Sequence, residues 1–367
     1  MTRSLEDLAS PYLRGLVPYS PGKPIEEVER ELGIRESVKL ASNENPLGPS
    51  PLALAALRDA LTDVHRYPDG SGYRLSQALA RHWGVSPDMV ILGNGSNELL
   101  ELTGRCFLMP GDEAVYARQA FIVYDMVAQI TGASKIAVPL ADFAHDLPAM
   151  RAAVTSRTKL VFVANPNNPT GTAVPPRVLE DFLASLPPEV LVVLDEAYYE
   201  YLPPEITPNA LRFAQDGRLV LVLRTFSKIY GLAGLRIGYG IGPAPLVALL
   251  NRVREPFNSN SLAQAAATAA LRDEEHVRST RAITEVGRKY LTEECRALGL
   301  SVVPSVANFL LVEVGRPGPA TADALLRHGV IVRPMAGYGF PTHLRISIGT
   351  PSENARCVAA LKAVLGR

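Results

Sequence analysis

A lysine at position 228 is the first candidate for chemistry in this chain. It lies in the segment TFSKIYGLAGLRIGY, which follows the apolar run of residues 219–223 and contains Arg236 eight residues later. Such a run is typical of a buried strand, so Lys228 is expected in a bend beyond the strand. A lysine amine that is removed from water and close to other cations has a lowered pKa and can attack an aldehyde. The alternative is that the Ser-Lys pair begins a solvent-exposed helix.

Three further polar side chains follow runs that are predicted to be buried strands. Asp195 ends the run of residues 191–195, and Tyr198 stands three positions later. Asn168 lies in the NPNNPTG turn after the run of residues 160–164. Proline fixes its own φ and restricts the residue before it, so the two Asn-Pro steps hold this turn in place.

The segment GNGSNELLELTGRCF predicts a strand end, a glycine turn and a helix. Ser96 or Asn97 is the expected N-cap of that helix, just after Gly95. Backbone N–H groups and the positive end of a helix dipole at such a junction can bind an anion. The segment matches neither the G-x-G-x-x-G pattern nor a Gly-Lys-Ser/Thr pattern. A phosphate site and an ordinary strand-to-helix turn both remain open.

Strands and helices alternate through residue 223, which predicts an α/β domain with a mainly parallel sheet between helices. From about residue 246 the pattern changes to helices followed by short strands. We predict a large domain of residues 46–245, and a smaller α+β domain formed by residues 1–45 together with 246–367. Ligands of such sheets bind beyond the carboxyl ends of the strands. The lysine, the aspartate, the asparagine and the glycine turn therefore converge on one edge.

Two arginines and two aromatic residues complete the set of candidates. Arg333 and Arg345 lie on successive predicted strands and, in an antiparallel pair, would form a fork for a carboxylate or phosphate. Individually, each would be an ordinary surface arginine. Phe121 stands at the beginning of a predicted helix, and Tyr19, in an early loop, is first of all expected to be a packed aromatic residue.

Composition excludes several classes of function. The net charge is zero over 367 residues, which gives no indication of a nucleic-acid or membrane partner. The N-terminal segment MTRSLEDLASPYL has no apolar signal core, and no run reaches the roughly 18 apolar residues of a membrane span. The three cysteines are far apart, so we expect neither disulfides nor a metal site. We expect a soluble, cytoplasmic protein.

The candidate residues match what a pyridoxal phosphate enzyme must supply. Such an enzyme needs a lysine for the aldehyde, a carboxylate for the ring nitrogen, donors for the ring oxygen, a phosphate site and an aromatic face. In that order the chain offers Lys228, Asp195, Tyr198 with Asn168, the turn of Gly95, Ser96 and Asn97 with Ser227 and Arg236, and Phe121.

The chain resembles the fold-type I pyridoxal phosphate aminotransferases and, within them, the histidinol-phosphate aminotransferase family. The resemblance covers nearly the whole chain through PYSPGKPIEEVERELG, LASNENPLGPSP, RYPDGSGYRL, GNGSNELL, NPNNPTG, LDEAYYEY, TFSKIYGLAGLRIGY and VIVRPMAGYG followed by LRISIGT. It implies a seven-stranded sheet in the large domain and a homodimer with shared active sites. It also implies that one peptide bond before a proline of NPNNPTG, Asn168–Pro169, is cis. Two departures are Phe121, where relatives often have tyrosine, and Asn97, where an acidic residue is frequent.

The resemblance also implies a role for each site residue. Lys228 would be the Schiff-base residue and the proton carrier, Asp195 would pair with the ring nitrogen, and Tyr198 and Asn168 would bind the ring oxygen. Gly95, Ser96, Asn97, Ser227 and Arg236 would hold the phosphate, with Tyr67 contributed by the partner subunit. Arg333 and Arg345 would bind the anionic end of the substrate, and Tyr19 would close over it.

The implied reaction is a ping-pong transfer of the amino group from L-histidinol phosphate to 2-oxoglutarate. Two rivals within the resemblance are an aromatic amino acid transaminase and a threonine-phosphate decarboxylase, which share the cofactor residues. A non-catalytic protein on a transaminase scaffold is a third, which the intact Lys228, Asp195 and Arg236 disfavour.

Overall fold

A computed structural model describes residues 5–18 and 22–366 of the chain. The α-helices are α1 (Leu5–Leu8), α2 (Ile25–Leu32), α3 (Pro51–Ala60), α4 (Tyr73–Trp83), α5 (Ser96–Phe107), α6 (Val123–Ile130), α7 (Leu147–Ala152), α8 (Pro176–Ser185), α9 (Leu211–Gln215), α10 (Ala244–Val253), α11 (Ser261–Ala270), α12 (Glu274–Ala297), α13 (Gly318–Arg327) and α14 (Pro351–Leu365). The strands are β1 (Val38–Lys39), β2 (Val90–Gly93), β3 (Glu113–Ala117), β4 (Ser134–Val138), β5 (Thr158–Ala164), β6 (Leu191–Asp195), β7 (Val220–Thr225), β8 (Gly238–Ile241), β9 (Ser301–Val303), β10 (Phe309–Glu313), β11 (Val330–Ile331), β12 (Arg333–Pro334) and β13 (His343–Ser347).

The large sheet has the strand order β2-β8-β7-β6-β5-β3-β4 in the described part of the chain. The neighbours from β7 to β4 pair in parallel, whereas β8 is antiparallel to both β7 and β2. The predicted seven-stranded, mainly parallel sheet is confirmed. Strand β8 was not predicted because its sequence, GYGI, is rich in glycine and has weak strand propensity.

Helices cover both faces of this sheet, which explains why its strands are continuously apolar. Along β5, Val161 and Val163 belong to the cluster that includes Leu179 of α8. The alternating residues Leu160 and Phe162 belong to the opposite cluster, which contains residues of α5 and α6. Side chains point alternately to the two faces of a strand, so one apolar run supplies both cores.

Short strands build a second, antiparallel sheet with the order β12-β13-β10-β9. Arg333 of β12 lies directly opposite Arg345 of β13, the antiparallel arrangement that was predicted for an arginine fork. Near the N-terminus, β1 pairs in parallel with β11. The N-terminal segment thus contacts the C-terminal part of the chain, while the division at residues 46 and 245 stays a prediction.

Two smaller expectations have a definite outcome. The Asn168–Pro169 peptide bond is cis, as predicted, and Asn165–Pro166 is cis as well. In the described residues, every helix is either too short or too polar to cross a membrane.

Candidate active site

The carboxyl edge of the large sheet opens into a cleft of about 650 Å³. Strands β2, β5, β6 and β7 all end at this edge, because β2 and β7 are both antiparallel to β8 and so run in the same direction. The cleft brings together ten of the residues that the sequence singled out: Ser96, Asn97, Phe121, Asn168, Asp195, Tyr198, Ser227, Lys228, Arg236 and Arg345.

Lys228 lies in the bend after β7 and reaches the floor of the cleft. Its Nζ donates a hydrogen bond to the backbone oxygen of Ser42, at 3.1 Å. Burial, and next the nearby guanidinium of Arg345, lower the pKa of Lys228 from 10.5 to about 8. The carboxylates of Glu44 and Asp195 oppose this shift, and Arg236 adds to it. The lysine is therefore desolvated and close to other cations, as the sequence predicted.

Asp195 ends β6 and is buried, at 6% exposure. Burial raises the pKa of this carboxyl, and a hydrogen bond from Tyr124 is the strongest effect that lowers it again. The Tyr124 hydroxyl donates to Asp195 Oδ2 at 2.8 Å, and the backbone N–H of Ala197 donates to Oδ1 at 3.2 Å. The tyrosine ring is stacked on Phe162 at 5.0 Å. Asp195 is thus a buried carboxylate whose orientation is fixed by two donors.

Tyr198 and Asn168 are each oriented by a neighbour. The amide nitrogen of Asn43 donates to the Tyr198 hydroxyl at 2.8 Å, which directs the hydroxyl proton away from Asn43. Arg345 Nη1 donates to Asn168 Oδ1 at 2.7 Å, so the Asn168 amide nitrogen points to the other side. Both residues line the cleft with a donor group that can face a ligand.

The glycine turn lies directly against Arg236, which lines the cleft. Gly95 has a φ of 75°, and a Cβ at this position would lie 2.5 Å from Arg236 Nη2, so only glycine fits. Strand β8 also comes close, because a Cβ at Gly238 would lie 2.5 Å from the backbone nitrogen of Ser96. The guanidinium therefore lies against the N-terminus of α5.

The predicted N-cap of α5 was wrong. The N-cap is Gly95, with no side-chain hydrogen bond, and Ser96 is already the first helical residue. Asn97 donates instead to Glu101 Oε1 one turn later, at 2.8 Å. The side chain of Asn97 is thus used inside the helix, and its backbone N–H is the group that can serve a ligand.

Three predicted residues in the described part of the chain are not part of the cleft wall. Tyr67 is 83% exposed and its ring stacks on Phe257. Arg333 is half-buried beside Arg345, and Gly95 lies just behind Arg236. Tyr19 lies outside the described residues.

A buried ion pair supports the floor of the cleft from behind. Arg224 of β7 is 1% exposed, and its Nη2 lies 2.7 Å from Glu196 Oε2. Its guanidinium lies 3.8 Å from the ring centroid of Trp83 and 3.6 Å from that of Tyr199. Such a pair is stable in the interior because both charges are matched and the rings add cation–π attraction.

Sequence reasoning missed Tyr124 and Asn43 as site residues. Both contacts join residues far apart in the chain, from Tyr124 to Asp195 and from Asn43 to Tyr198. The signals were present but indirect, since Tyr124 follows Phe121 by three positions and Asn43 lies in the ASNENP segment.

Comparison with known proteins gives consistent matches over the whole chain. Residues 35–361 match the family of aminotransferases of class I and II. Histidinol-phosphate aminotransferase 1 of Nitrosococcus oceani is 53% identical over 98% of this chain and 97% of its own length. The histidinol-phosphate aminotransferase of Methylobacillus flagellatus is 52% identical over 100% of this chain and 99% of its own length.

Solved structures agree with the sequence matches. The histidinol-phosphate aminotransferase of Sinorhizobium meliloti, in complex with pyridoxal 5'-phosphate, superposes with a TM-score of 0.89 at 32% identity, over 98% of this chain and 97% of that chain. A mutant of the aspartate aminotransferase of Thermus thermophilus superposes with a TM-score of 0.85 at 26% identity, over 99% and 100% of the two chains. The chain belongs to the class I and II aminotransferases and, within them, to the histidinol-phosphate aminotransferase family.

Proposed function

We propose that the protein is a pyridoxal phosphate-dependent transaminase that moves the amino group of L-histidinol phosphate to 2-oxoglutarate, in histidine biosynthesis. The products are imidazole acetol phosphate and glutamate. The observation that supports this most strongly is the placement of Lys228 and Asp195 in one cleft that Arg236 and Arg345 also line. The choice of substrate is supported by full-length relatives that are named for it.

The residues of the cleft fit the cofactor. At one end, a phosphate dianion would meet the guanidinium of Arg236, which lies against Gly95, and the positive end of the α5 dipole. Ser227 supplies a hydroxyl there, in contact with the Thr225 hydroxyl at 3.0 Å. Two sources of positive charge and a hydroxyl at one place are the donor set that a phosphate ester requires.

At the other positions, side chains would hold the ring. Asp195 would pair with the protonated ring nitrogen, and Tyr198 and Asn168 would donate to the ring oxygen, while Phe121 would stack on the ring face. A buried carboxylate gains from a cation when both are hydrogen-bonded, and Tyr124 already supplies one of those bonds. When bound, the cofactor supplies an aldehyde for the amine and a ring that withdraws electrons from the reacting carbon.

The lowered pKa suits Lys228 for two tasks. With a pKa of about 8, roughly a tenth of the amine is unprotonated at pH 7, against fewer than about one in a thousand at the ordinary value. The neutral Nζ is the group that would bind the aldehyde. It can later take the proton from the α-carbon of the substrate and return it two atoms away, to the carbon on the other side of the amino nitrogen. Asp195 keeps its orientation through both steps, because Tyr124 and the backbone of Ala197 donate hydrogen bonds to it.

The substrate's anionic end would be bound by Arg345 and Arg333, which face each other in register. A pair of guanidinium groups can accept either a phosphate or a carboxylate, as a site that serves both substrates requires. Tyr19 would close over this end from the N-terminal segment.

The proposal includes a cytoplasmic homodimer with shared active sites. Tyr67, which is 83% exposed in one chain, would reach the phosphate of the partner's cofactor. The large domain of residues 46–245 would hold the cofactor, while residues 1–45 and 246–367 would form the small domain that presents both arginines.

The test is a comparison of kcat/KM for L-histidinol phosphate, phenylalanine and tyrosine, each with 2-oxoglutarate as acceptor. We expect L-histidinol phosphate to exceed the aromatic amino acids by at least about a hundred-fold, since a dianion matched by two guanidinium groups adds roughly 3 kcal/mol or more. Equal or better turnover of phenylalanine or tyrosine would make the aromatic transaminase the correct assignment. Release of carbon dioxide from threonine phosphate would favour the decarboxylase.

A further inference from the structure

Phe257 has a backbone conformation that is unusual for a bulky residue. It lies in the connection between α10 and α11, has a φ of 57° and is 45% exposed. A non-glycine residue of this size rarely adopts the left-handed region, and such strain persists only where the surroundings fix it. The site described above does not use this residue, so the strain calls for another explanation.

The contact that the strained residue makes is with Tyr67. The two rings stack with their centroids 4.7 Å apart and their planes 26° apart. The Phe257 ring also lies over Gly70, because a Cβ added there would be 3.4 Å from two of its ring atoms. Tyr67 is otherwise 83% exposed, so this stacking limits the directions its side chain can take.

Two further hydrogen bonds tie the same two segments together. Arg254 Nη2 donates to the backbone oxygen of Gly70 at 3.0 Å. Gln264 Nε2 donates to the backbone oxygen of Asp69, also at 3.0 Å. The loop that holds Tyr67 is thus attached on both sides of Phe257 to the segment of residues 254–264.

The segment of Phe257 is itself fixed to the core of its own subunit. Asn258 Nδ2 donates to Glu98 Oε2 at 2.6 Å and to the backbone oxygen of Leu92 at 3.1 Å. Glu98 also accepts from the backbone nitrogen of Asn94, at 2.6 Å. The residue next to Phe257 is therefore hydrogen-bonded to the strand and turn at the base of α5, which makes it a rigid support.

We propose that Phe257 is a positioning residue that holds Tyr67 in the direction from which its hydroxyl reaches the cofactor phosphate of the partner subunit. This inference rests on the proposed function, which places Tyr67 in the partner's site. The strained backbone turns the Phe257 ring onto Tyr67, and the bonds of Arg254, Gln264 and Asn258 keep the two loops in register. Phe257 acts through Tyr67 and needs no contact of its own with the cofactor.

The test uses mixed dimers in which one site alone can be labelled. One chain keeps Lys228 and is called the live chain, and the other has Lys228→Ala and is called the donor chain. Differently tagged chains are co-expressed, purified as the mixed dimer, stripped of cofactor, titrated with pyridoxal phosphate and reduced with borohydride. The readout is the labelled fraction of Lys228, which reports the affinity of the live site without any turnover.

We expect Phe257→Ala to act only in the donor chain, because that chain provides Tyr67 to the live site. The loss of one aromatic pair should raise the cofactor concentration needed to label half of the live sites by about three- to ten-fold. The same substitution in the live chain is the matched control and should leave the affinity unchanged. Phe257→Tyr in the donor chain keeps a ring and should restore the affinity, and equal melting temperatures would exclude misfolding as the cause.

Three results would overturn the inference. A donor-chain Phe257→Ala without effect, or with the same effect in the live chain, would mean that Phe257 does not position the partner-facing tyrosine. Adding Phe257→Ala to Tyr67→Phe in the donor chain should cause no further loss, and an additive loss would mean that Phe257 acts directly. Tyr67→Phe alone separates the two proposals, because its failure to weaken the live site would refute the shared-site part of the proposed function.

Discussion

Removal of a single hydroxyl, in the substitution Tyr124→Phe, should change the charge state of Asp195. The hydroxyl donates to Asp195 Oδ2 at 2.8 Å inside a site where burial raises the pKa of the carboxyl. A hydrogen bond to a charged acceptor contributes about 1.5–3 kcal/mol. Because the variant loses this bond, which lowers the pKa of Asp195, that pKa should rise further. The ring stays stacked on Phe162, so packing should be kept.

The consequence is measurable as cofactor affinity against pH. A carboxyl with a raised pKa is protonated over a wider acidic range, so it pairs less well with a cationic ring nitrogen. We expect the dissociation constant of pyridoxal phosphate to rise about ten-fold at pH 7, with a steeper loss of affinity toward lower pH. Tyr116→Phe is the matched control, because it removes a buried tyrosine hydroxyl that donates at 2.6 Å to Asp125 instead. Wild-type affinity and an unchanged pH dependence in Tyr124→Phe would refute the role given to this hydrogen bond.

Three further perturbations follow from the same structure. Arg345→Ala should raise KM for the amino donor and for 2-oxoglutarate alike, and a loss for one substrate only would mean separate anion sites. Burial lowers the pKa of His145 from 6.5 to about 4. Between pH 6.5 and about pH 4, the unfolded chain therefore binds one proton more than the folded chain. The contribution of His145 to stability is fully present above pH 6.5 and is lost as the pH falls toward about 4. The free energy of unfolding, measured with urea, should fall by about 2 kcal/mol between pH 7 and 5 because of His145. His145→Gln should lack this contribution, and an equal pH dependence in both proteins would contradict the prediction. Arg224→Met should cost about 3–5 kcal/mol of unfolding free energy, because it leaves Glu196 charged and buried, and a double variant with Glu196→Leu should recover most of it.

The local sequence pattern was sufficient to predict the position of those site residues that directly follow strands. Asp195 and Lys228 each come at the end of an apolar run, and parallel strands bring such ends to one edge whatever the details of helix packing. The register of Arg333 with Arg345 could likewise be expected from two short strands close together in the chain. These features depend on short-range rules that hold in any sheet of this kind.

Contacts between distant segments could not be predicted in the same way. The bond from Tyr124 to Asp195 depends on how α6 is placed over the sheet, which involves the packing of residues such as Phe162 rather than any local pattern. Strand β8 escaped prediction because its glycines are present for close approach, with Gly238 lying against the turn before α5. The N-cap was misplaced because the turn before α5 gives Gly95 a φ of 75° and a ψ of 165°, a backbone conformation that only glycine adopts readily.

The most direct test of the whole account is chemical labelling of the lysine. The protein is incubated with pyridoxal phosphate, reduced with borohydride and digested, and the modified peptide is identified by mass spectrometry. We expect one stable adduct on Lys228, and a Lys228→Ala variant that takes up no label and loses its cofactor on dialysis. An adduct on another lysine, or continued turnover in the Lys228→Ala variant, would contradict it.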